Sequence, residues 1–276
     1  MQVILKKIRN RLSRTFRRWL VGLRLQPPTL EDYEDQVLQR VVSPGDICYD
    51  VGANIGNTAK RLARLAGPRG CVVAFEPVWP TYETMCRRLC WPGWRRAPVI
   101  PIAAGLSDAE GTFPLHVPNG NFFRSSLADS QKWSRAQSEA RIESFECRLL
   151  TLDGFLRMSR FPQPALIKID VEGAELLVLR GAREFFEAGH RPLLFLELLA
   201  AWQQAFHYAP WDLLSLLSDW GYRFLFICPT GLVEHHPSPT QPVPPEFAQG
   251  VNVLAYSLPQ HSQIMTRLTA LRMNPA

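Results

Sequence analysis

Segments with the pattern of buried β-strands alternate with helical segments along most of this 276-residue chain. The strand-like runs are short and apolar, and they cover residues 46–51, 70–75, 98–103, 165–169, 193–198, 222–228 and 251–257. Strands separated by helices form mainly parallel sheets that carry helices on both faces. The sequence therefore predicts an α/β protein with a doubly wound, seven-stranded, mainly parallel sheet.

The segments between these strands carry helix signals. Thr29 is a suitable N-terminal cap for a helix that begins at Leu30, and Gly181 interrupts a helix that we predict over residues 174–187. The other predicted helices cover residues 58–66, 81–90 and 210–220.

Two stretches depart from this alternation. Residues 111–150 form an insertion between the third and fourth strands, where β segments at 112–117, 122–127 and 147–150 surround a polar stretch that we predict to be helical. Residues 237–245 contain five prolines, which predicts an extended surface loop.

The net charge of +6 is concentrated at the N-terminus. Residues 1–30 hold eight basic residues and no acidic one, so the rest of the chain has a net charge of −2. Apolar residues recur in this segment at three- and four-residue steps, which predicts a basic amphipathic helix. We therefore divide the chain into an arm (1–27), a catalytic domain (28–258) and a C-terminal tail that we expect to be helical (259–276).

The arm is a candidate for peripheral contact with an anionic membrane, because such helices lie in the membrane interface. The alternative is that its apolar stripe packs on the domain or on a second subunit. The start lacks the continuous apolar core of a secretory signal, although its composition also fits a mitochondrial transit peptide. No apolar run reaches the roughly 20 residues of a spanning helix, and we expect a cytoplasmic protein.

The first predicted strand runs into a glycine loop, Asp50-Val51-Gly52-Ala53-Asn54-Ile55-Gly56. Glycine allows a tight turn and a close approach of backbone to a ligand. Asp50 places a carboxylate beside the helix N-terminus, where it repels a pyrophosphate but attracts an ammonium or sulfonium group.

The second strand ends at Glu76, twenty residues after Gly56. A carboxylate at that distance suits the hydroxyls of a ribose. A nucleoside joined to a cation, as in S-adenosylmethionine, fits both features. A nicotinamide cofactor is the rival, but its G-x-G-x-x-G spacing is absent. Ser107 and Asp108 follow the third strand, where they would meet an adenine amino group.

Lys168 and Asp170 alternate with apolar residues at the end of the fourth strand, so both side chains lie on one side of it. A hydroxyl that is methylated loses a proton, and a nearby carboxylate is a suitable acceptor for that proton. We predict Asp170 as this base, Glu172 as the alternative, and Lys168 as a stabiliser of developing negative charge. A salt-bridged strand end and helix cap is the structural alternative for all three.

The sequence contains no cluster of metal ligands with convincing spacing, so we predict no metal centre. Asp170 and Glu197, at the ends of neighbouring strands, are the alternative position for a divalent cation. None of the six cysteines forms a C-x-x-C pair, and we expect buried free thiols.

Three motifs resemble the FkbM-type methyltransferases: residues 50–58, residues 73–77, and Leu166-Ile167-Lys168-Ile169-Asp170-Val171-Glu172-Gly173-Ala174-Glu175. The Lys-Ile-Asp-Val-Glu-Gly string is the most distinctive, and the resemblance extends over about 45–256. It implies a class I methyltransferase with a Rossmann-like fold and an antiparallel last strand. It also implies S-adenosylmethionine as the donor and O-methylation of a sugar, glycolipid or natural product.

Together, the glycine loop, Glu76 and this resemblance give a set of candidate cofactor-binding residues, which are Asp50, Gly52, Ala53, Asn54, Gly56, Asn57, Thr58, Glu76, Ser107 and Asp108. The candidate catalytic residues are Asp170, Lys168 and Glu172.

Two other functions remain open. A nucleic-acid methyltransferase would use the arm to bind phosphates. Against it, the body of the chain is slightly acidic, and the Asn-Pro-Pro-Tyr and Asp-Pro-Pro-Tyr motifs are absent. A non-catalytic membrane-associated protein with the same fold would not need the glycine loop and Glu76, which are both present.

Overall fold

The computed structural model describes residues 29–89, 95–118, 142–228, 231–236 and 250–271. Within these ranges the chain forms eleven strands: β1 (Ile47–Val51), β2 (Cys71–Phe75), β3 (Val99–Ile102), β4 (Gly105–Leu106), β5 (Gly111–Pro118), β6 (Ile142–Leu150), β7 (Leu166–Ile169), β8 (Leu193–Leu198), β9 (Tyr222–Cys228), β10 (Gly231–His235) and β11 (Val251–Ser257).

Nine α-helices accompany the strands in the same ranges: α1 (Leu30–Val41), α2 (Asn57–Ala66), α3 (Trp79–Leu89), α4 (Leu152–Ser159), α5 (Glu175–Arg180), α6 (Arg183–Glu187), α7 (Ala200–Ala205), α8 (Pro210–Asp219) and α9 (Ser262–Leu268). A 3₁₀ turn at Thr269–Leu271 follows α9. Each described helix is too short or too polar to cross a membrane.

The main sheet has the order β10-β9-β11-β8-β7-β1-β2-β3. Strands β3, β2, β1, β7 and β8 are parallel, whereas β11 runs antiparallel to both β8 and β9. The chain steps outward from β1 to β3 and then returns to β7 on the other side of β1. The strand order therefore reverses at β1 and β7, where doubly wound sheets form a ligand crevice beyond the carboxyl ends.

This topology confirms the predicted doubly wound class I methyltransferase fold, and the last strand is antiparallel as the resemblance implied. An eighth strand, β10, extends the seven that we predicted and pairs antiparallel with β9. It is an edge strand of five residues in which only Gly231 and Leu232 are buried. Its sequence pattern is too short and too polar to predict a strand.

The central strands β1, β2, β7 and β8 are almost fully buried because helices cover both faces of the sheet. One apolar cluster lies under α4, α5, α6 and α8. The other lies under α1, α2, α3 and α9. The apolar runs that predicted these strands are thus the consequence of burial on both faces.

The insertion forms a second, three-stranded sheet in the order β4-β6-β5. Strand β6 begins at Ile142, five residues before the β segment that we predicted. Its first half alternates between exposed and half-buried residues, so it lacks a continuous apolar run. The predicted segment 122–127 and the polar helix lie outside the described residues, as do the arm (1–27) and the proline-rich stretch (237–245).

Two local predictions about helices are confirmed. Thr29 caps α1 by accepting a hydrogen bond from the Asp32 N–H, and the Asp32 carboxylate accepts one from the Thr29 N–H in return. The predicted helix over 174–187 is broken into α5 and α6 at Gly181. A Cβ at Gly181 would lie 1.9 Å from the Ser107 carbonyl oxygen, so close packing requires glycine here.

Candidate active site

The glycine loop lies against the ends of β2 and β7. The N–H groups of Gly52 and Ala53 both donate to the Phe75 carbonyl, at 3.1 and 2.9 Å. Gly52 has a φ of +79°, and a Cβ on it would lie 1.9 Å from the carbonyl oxygen of Asp170. No larger residue fits at this position without moving the end of β7. The loop and β7 are therefore held together.

Glu76 is buried at the end of β2 and faces the loop. Its Oε2 accepts from the Asn54 N–H and its Oε1 from the Val78 N–H, both at 2.9 Å. Each carboxylate oxygen has a second lone pair, so Glu76 can accept hydrogen bonds from a diol while these contacts persist. Burial raises the pKa of Glu76 to about 7, although the two N–H groups favour the charged form.

Asp50 lies beneath the loop and is fully buried. The Lys168 Nζ is 3.9 Å from its Oδ1. Burial raises the pKa of Asp50 to about 6, and the Lys168 ammonium opposes that shift. Asp50 thus contributes a buried negative charge beside Lys168.

Lys168 connects two of the predicted site carboxylates. Its Nζ donates to the Asp170 Oδ2 at 2.6 Å, in addition to its ion pair with Asp50. Burial alone would lower the pKa of Lys168, but Asp170 and Asp50 outweigh that effect and raise it. Lys168 is therefore a permanent cation at the end of β7.

Glu172 occupies a tight turn after β7, with a φ of +55° that non-glycine residues rarely adopt. Burial raises its pKa to about 10, and the neighbouring charges of Asp170, Glu197 and Glu175 add to the shift. The carboxyl group is therefore protonated at pH 7. This favours Asp170 over Glu172 for the role of base.

Glu175 stabilises the same turn. Its Oε1 accepts from the N–H groups of Val171 and Gly173, at 3.3 and 3.1 Å. Tyr208, from the loop between α7 and α8, donates from its hydroxyl to the Gly173 carbonyl at 2.7 Å. Local sequence patterns do not predict this role for Tyr208, because the contact joins residues 35 positions apart.

One cavity brings most of the predicted residues together. Its polar side is formed by the glycine loop, Glu76 and the end of β7, and its lining includes Gly52, Ala53, Asn54, Asn57, Thr58, Glu76, Lys168, Asp170, Glu172 and Glu197. Its apolar side includes Pro77 and three leucines, Leu106, Leu115 and Leu149, which we call the leucine wall. Leu115 and Leu149 come from the small sheet, and sequence reasoning missed both of them.

Four predicted cofactor residues lie outside this lining: Asp50, Gly56, Ser107 and Asp108. Ser107 is only 3% exposed and packs against Gly181, and its hydroxyl is 3.4 Å from the Asp108 Oδ1. Contact of Ser107 or Asp108 with adenine stays a prediction.

The described residues contain no group of three or more His, Cys, Asp or Glu side chains arranged to hold a metal ion. Asp170 and Glu197 both line the cavity, but the Lys168 ammonium already lies at 2.6 Å from Asp170. Burial and the Asp170 carboxylate raise the pKa of Glu197 to about 8.

A glycine loop after the first strand, a buried acid after the second and a cavity between them are features of the class I methyltransferase fold. The family is more specific: residues 50–224 match the methyltransferase FkbM domain, and the chain belongs to that family. Membership supports S-adenosylmethionine as the cofactor. The residues present fit it, because Glu76 offers acceptors for a ribose and the leucine wall offers an apolar surface for adenine.

Among curated proteins, the chain is 30% identical over 138 residues to the hexuronic acid methyltransferase AglP of Haloferax volcanii, a match that covers 49% of each protein. It is also 30% identical over 176 residues to the methyltransferase sdnD of Sordaria araneosa, covering 50% of this chain and 66% of sdnD. The chain thus matches about half to two thirds of the length of these relatives.

Among solved structures, a methyltransferase FkbM from Methylobacillus flagellatus aligns with a TM-score of 0.45 and 17% identity. That alignment covers 82% of this chain and 50% of the other.

Proposed function

We propose that this protein is an S-adenosylmethionine-dependent O-methyltransferase that acts on a hydroxyl of a sugar, glycolipid or natural product. The observation that carries the proposal is the position of the Lys168–Asp170 ion pair in the same cavity as the glycine loop and Glu76. A carboxylate is thus available beside the cofactor site to accept a hydroxyl proton. The name of AglP, a hexuronic acid methyltransferase, supports a saccharide acceptor.

S-adenosylmethionine supplies an electrophilic methyl group when it is bound. In the proposed mechanism Glu76 accepts hydrogen bonds from ribose hydroxyls, and the backbone of the glycine loop holds the rest of the nucleoside. Asp170 accepts the proton that the acceptor hydroxyl loses. Lys168 remains cationic, so it orients Asp170 and lowers the free energy of negative charge that develops on the acceptor oxygen.

Glu172 has a different role in this mechanism. Since it is protonated at pH 7, it acts as a hydrogen-bond donor at the cavity wall instead of as a base. Most of the chemistry then comes from positioning the acceptor close to the methyl donor.

Cofactor binding is the first test. Glu76→Ala should weaken binding of S-adenosylmethionine by about 1–3 kcal/mol, the usual cost of losing a buried hydrogen-bond partner. Isothermal titration calorimetry measures this change. The matched control is Glu187→Ala, which removes an exposed carboxylate that does not line the cavity. Equal affinities of both variants and wild type, with circular dichroism unchanged, would rule out the proposed site, whereas no binding of S-adenosylmethionine by the wild type would favour a non-catalytic protein.

We also propose that residues 1–27 attach the enzyme to an anionic membrane surface, near a glycolipid or lipid-linked saccharide. The support is compositional: eight cations and an apolar stripe precede a body with a net charge of −2. Each basic residue near such a surface contributes about 1 kcal/mol, so the binding would be reversible.

Co-sedimentation with vesicles tests this attachment. The full-length protein should pellet with vesicles of anionic phospholipid but not with neutral ones, and a protein that starts at residue 28 should pellet with neither. Retention of the full-length protein on RNA in moderate salt, without vesicle binding, would support the nucleic-acid alternative instead.

A further inference from the structure

A second cavity adjoins the cofactor cavity. The two share Thr58, Lys168, Asp170 and Glu197 in their linings. The second cavity is otherwise lined by side chains from α1, α2, β8 and β11, which are Glu34, Leu38, Arg61, Phe195 and Asn252. A molecule in this cavity would therefore contact Asp170, the proposed base, from a position next to the cofactor.

Glu34 and Asn252 form a hydrogen-bonded pair at the wall of this cavity. The Asn252 amide donates to the Glu34 Oε1 at 2.8 Å, which joins α1 to β11. Both residues lie outside the segment that matches the family model. Glu34 and Asn252 therefore belong to the regions that flank the matched segment.

In the second cavity, the carboxyl groups outnumber the cations. Its two cations already have carboxylate partners, since Lys168 lies 2.6 Å from Asp170 and the Arg61 Nε lies 2.7 Å from Asp35. Two further carboxyl groups, those of Glu34 and Glu197, line the cavity beyond these pairs. A hydroxyl or ammonium group can donate to these carboxyls, whereas a carboxylate or phosphate would be repelled by them.

We propose that the second cavity is the acceptor subsite, and that Glu34 makes it select a neutral or amine-bearing sugar over a uronate. This inference rests on the proposed function, since it names the substrate class of the same site. Asn252 holds the Glu34 carboxylate in place, and Glu34 acts on specificity without taking part in the chemistry.

The ionisation state of Glu34 determines the pH at which this selectivity is tested. Burial raises its pKa to about 7, although the Arg61 cation opposes the shift. At pH 8 the Glu34 carboxyl is therefore mostly charged, and its repulsion of an anionic sugar is strongest.

Binding of sugars is measured by saturation-transfer difference NMR at pH 8, on the full chain in the presence of S-adenosylhomocysteine. The probes are the methyl glycosides of glucose, glucosamine and glucuronic acid. We expect the glucoside and the glucosaminide to bind, and the glucuronide to bind at least about fivefold more weakly.

Glu34→Gln should raise binding of the glucuronide relative to the glucoside by about fivefold, because it removes a charge but keeps the acceptor for Asn252. The matched control is Glu187→Gln, which removes an exposed acidic residue that does not line the cavity. It should leave the ratio unchanged.

Three results would overturn the inference: stronger or equal binding of the glucuronide, an unchanged ratio in Glu34→Gln, or no binding of any glycoside. Binding of S-adenosylhomocysteine, measured by calorimetry, distinguishes failure of the acceptor subsite from failure of the proposed function. If that binding persists, only the acceptor subsite is wrong. If it is absent as well, the proposed function fails.

Discussion

At the scale of single residues, two carboxyl groups that follow β7, two positions apart in the sequence, differ in their chemistry. Asp170 pairs with Lys168 at 2.6 Å, whereas burial and the neighbouring carboxyl groups raise the pKa of Glu172 to about 10. The difference comes from their surroundings, since burial disfavours the charged form and a nearby cation favours it.

This difference predicts unequal effects of two conservative substitutions. Asp170→Asn should lower kcat by roughly 10²–10⁴-fold, because it removes the proton acceptor with little change in volume. Glu172→Gln should lower kcat by less than about tenfold, because an amide resembles a neutral carboxyl group in size and hydrogen bonding. Initial rates of transfer of labelled methyl groups to a saccharide acceptor measure both effects. A wild-type rate in Asp170→Asn would return Asp170 to a structural role.

At the scale of elements, the turn between β7 and α5 is fixed from outside by the loop between α7 and α8. The Tyr208 hydroxyl donates to Gly173, and Glu175 accepts from both Val171 and Gly173. The strained backbone of Glu172 lies within this turn. The proposed catalytic residues thus depend on a contact with an element that contributes none of them.

Removal of the Tyr208 hydroxyl tests this dependence. Tyr208→Phe should destabilise the protein by about 1 kcal/mol and also lower kcat, because the turn loses a hydrogen bond that sets its geometry. Tyr222→Phe is a matched control, since the Tyr222 hydroxyl donates to the Pro192 carbonyl at 2.8 Å, away from the site. Tyr222→Phe should lower the stability by a similar amount, measured by thermal unfolding. It should leave kcat, measured from initial rates, unchanged. Equal kcat in the two variants would contradict a positioning role for Tyr208.

At the scale of the whole molecule, the site accumulates acidic groups whose pKa values are raised. These values lie at about 6 for Asp50, about 7 for Glu34 and Glu76, about 8 for Glu197 and about 10 for Glu172. Such groups bind protons more tightly in the folded than in the unfolded chain, since burial penalises their charged forms. Their contribution to stability is therefore greatest at low pH and is lost as the pH rises through these values.

We expect the melting temperature of the ligand-free protein to fall between pH 6 and pH 9 by roughly 5–10 °C. Glu172→Gln should make this decrease smaller, because its amide does not titrate whereas the native carboxyl ionises only on unfolding. Differential scanning calorimetry at several pH values measures the slope of melting temperature against pH for the wild-type protein and for Glu172→Gln. A melting temperature that rises with pH, or equal slopes for the two proteins, would contradict this account.

The sequence by itself determined the strands of the main sheet other than β10 and the position of the glycine loop. It also identified Glu76 and Asp170 as strand-end acids. These features are local, because an apolar run, a glycine spacing or a strand-end carboxylate is visible within a few residues. The reversal of strand order at β1 and β7 then brings the strand ends together, as the alternation of strands and helices predicted.

Only the tertiary structure decided what surrounds these residues. The leucine wall depends on the small sheet, which packs against Pro77 and Val78 after β2. The pair of Glu34 and Asn252 joins residues 218 positions apart. The protonation of Glu172 depends on its burial beside Asp170 and Glu197. Such contacts and desolvation arise from the packing of distant segments, which the periodicity of a sequence does not encode.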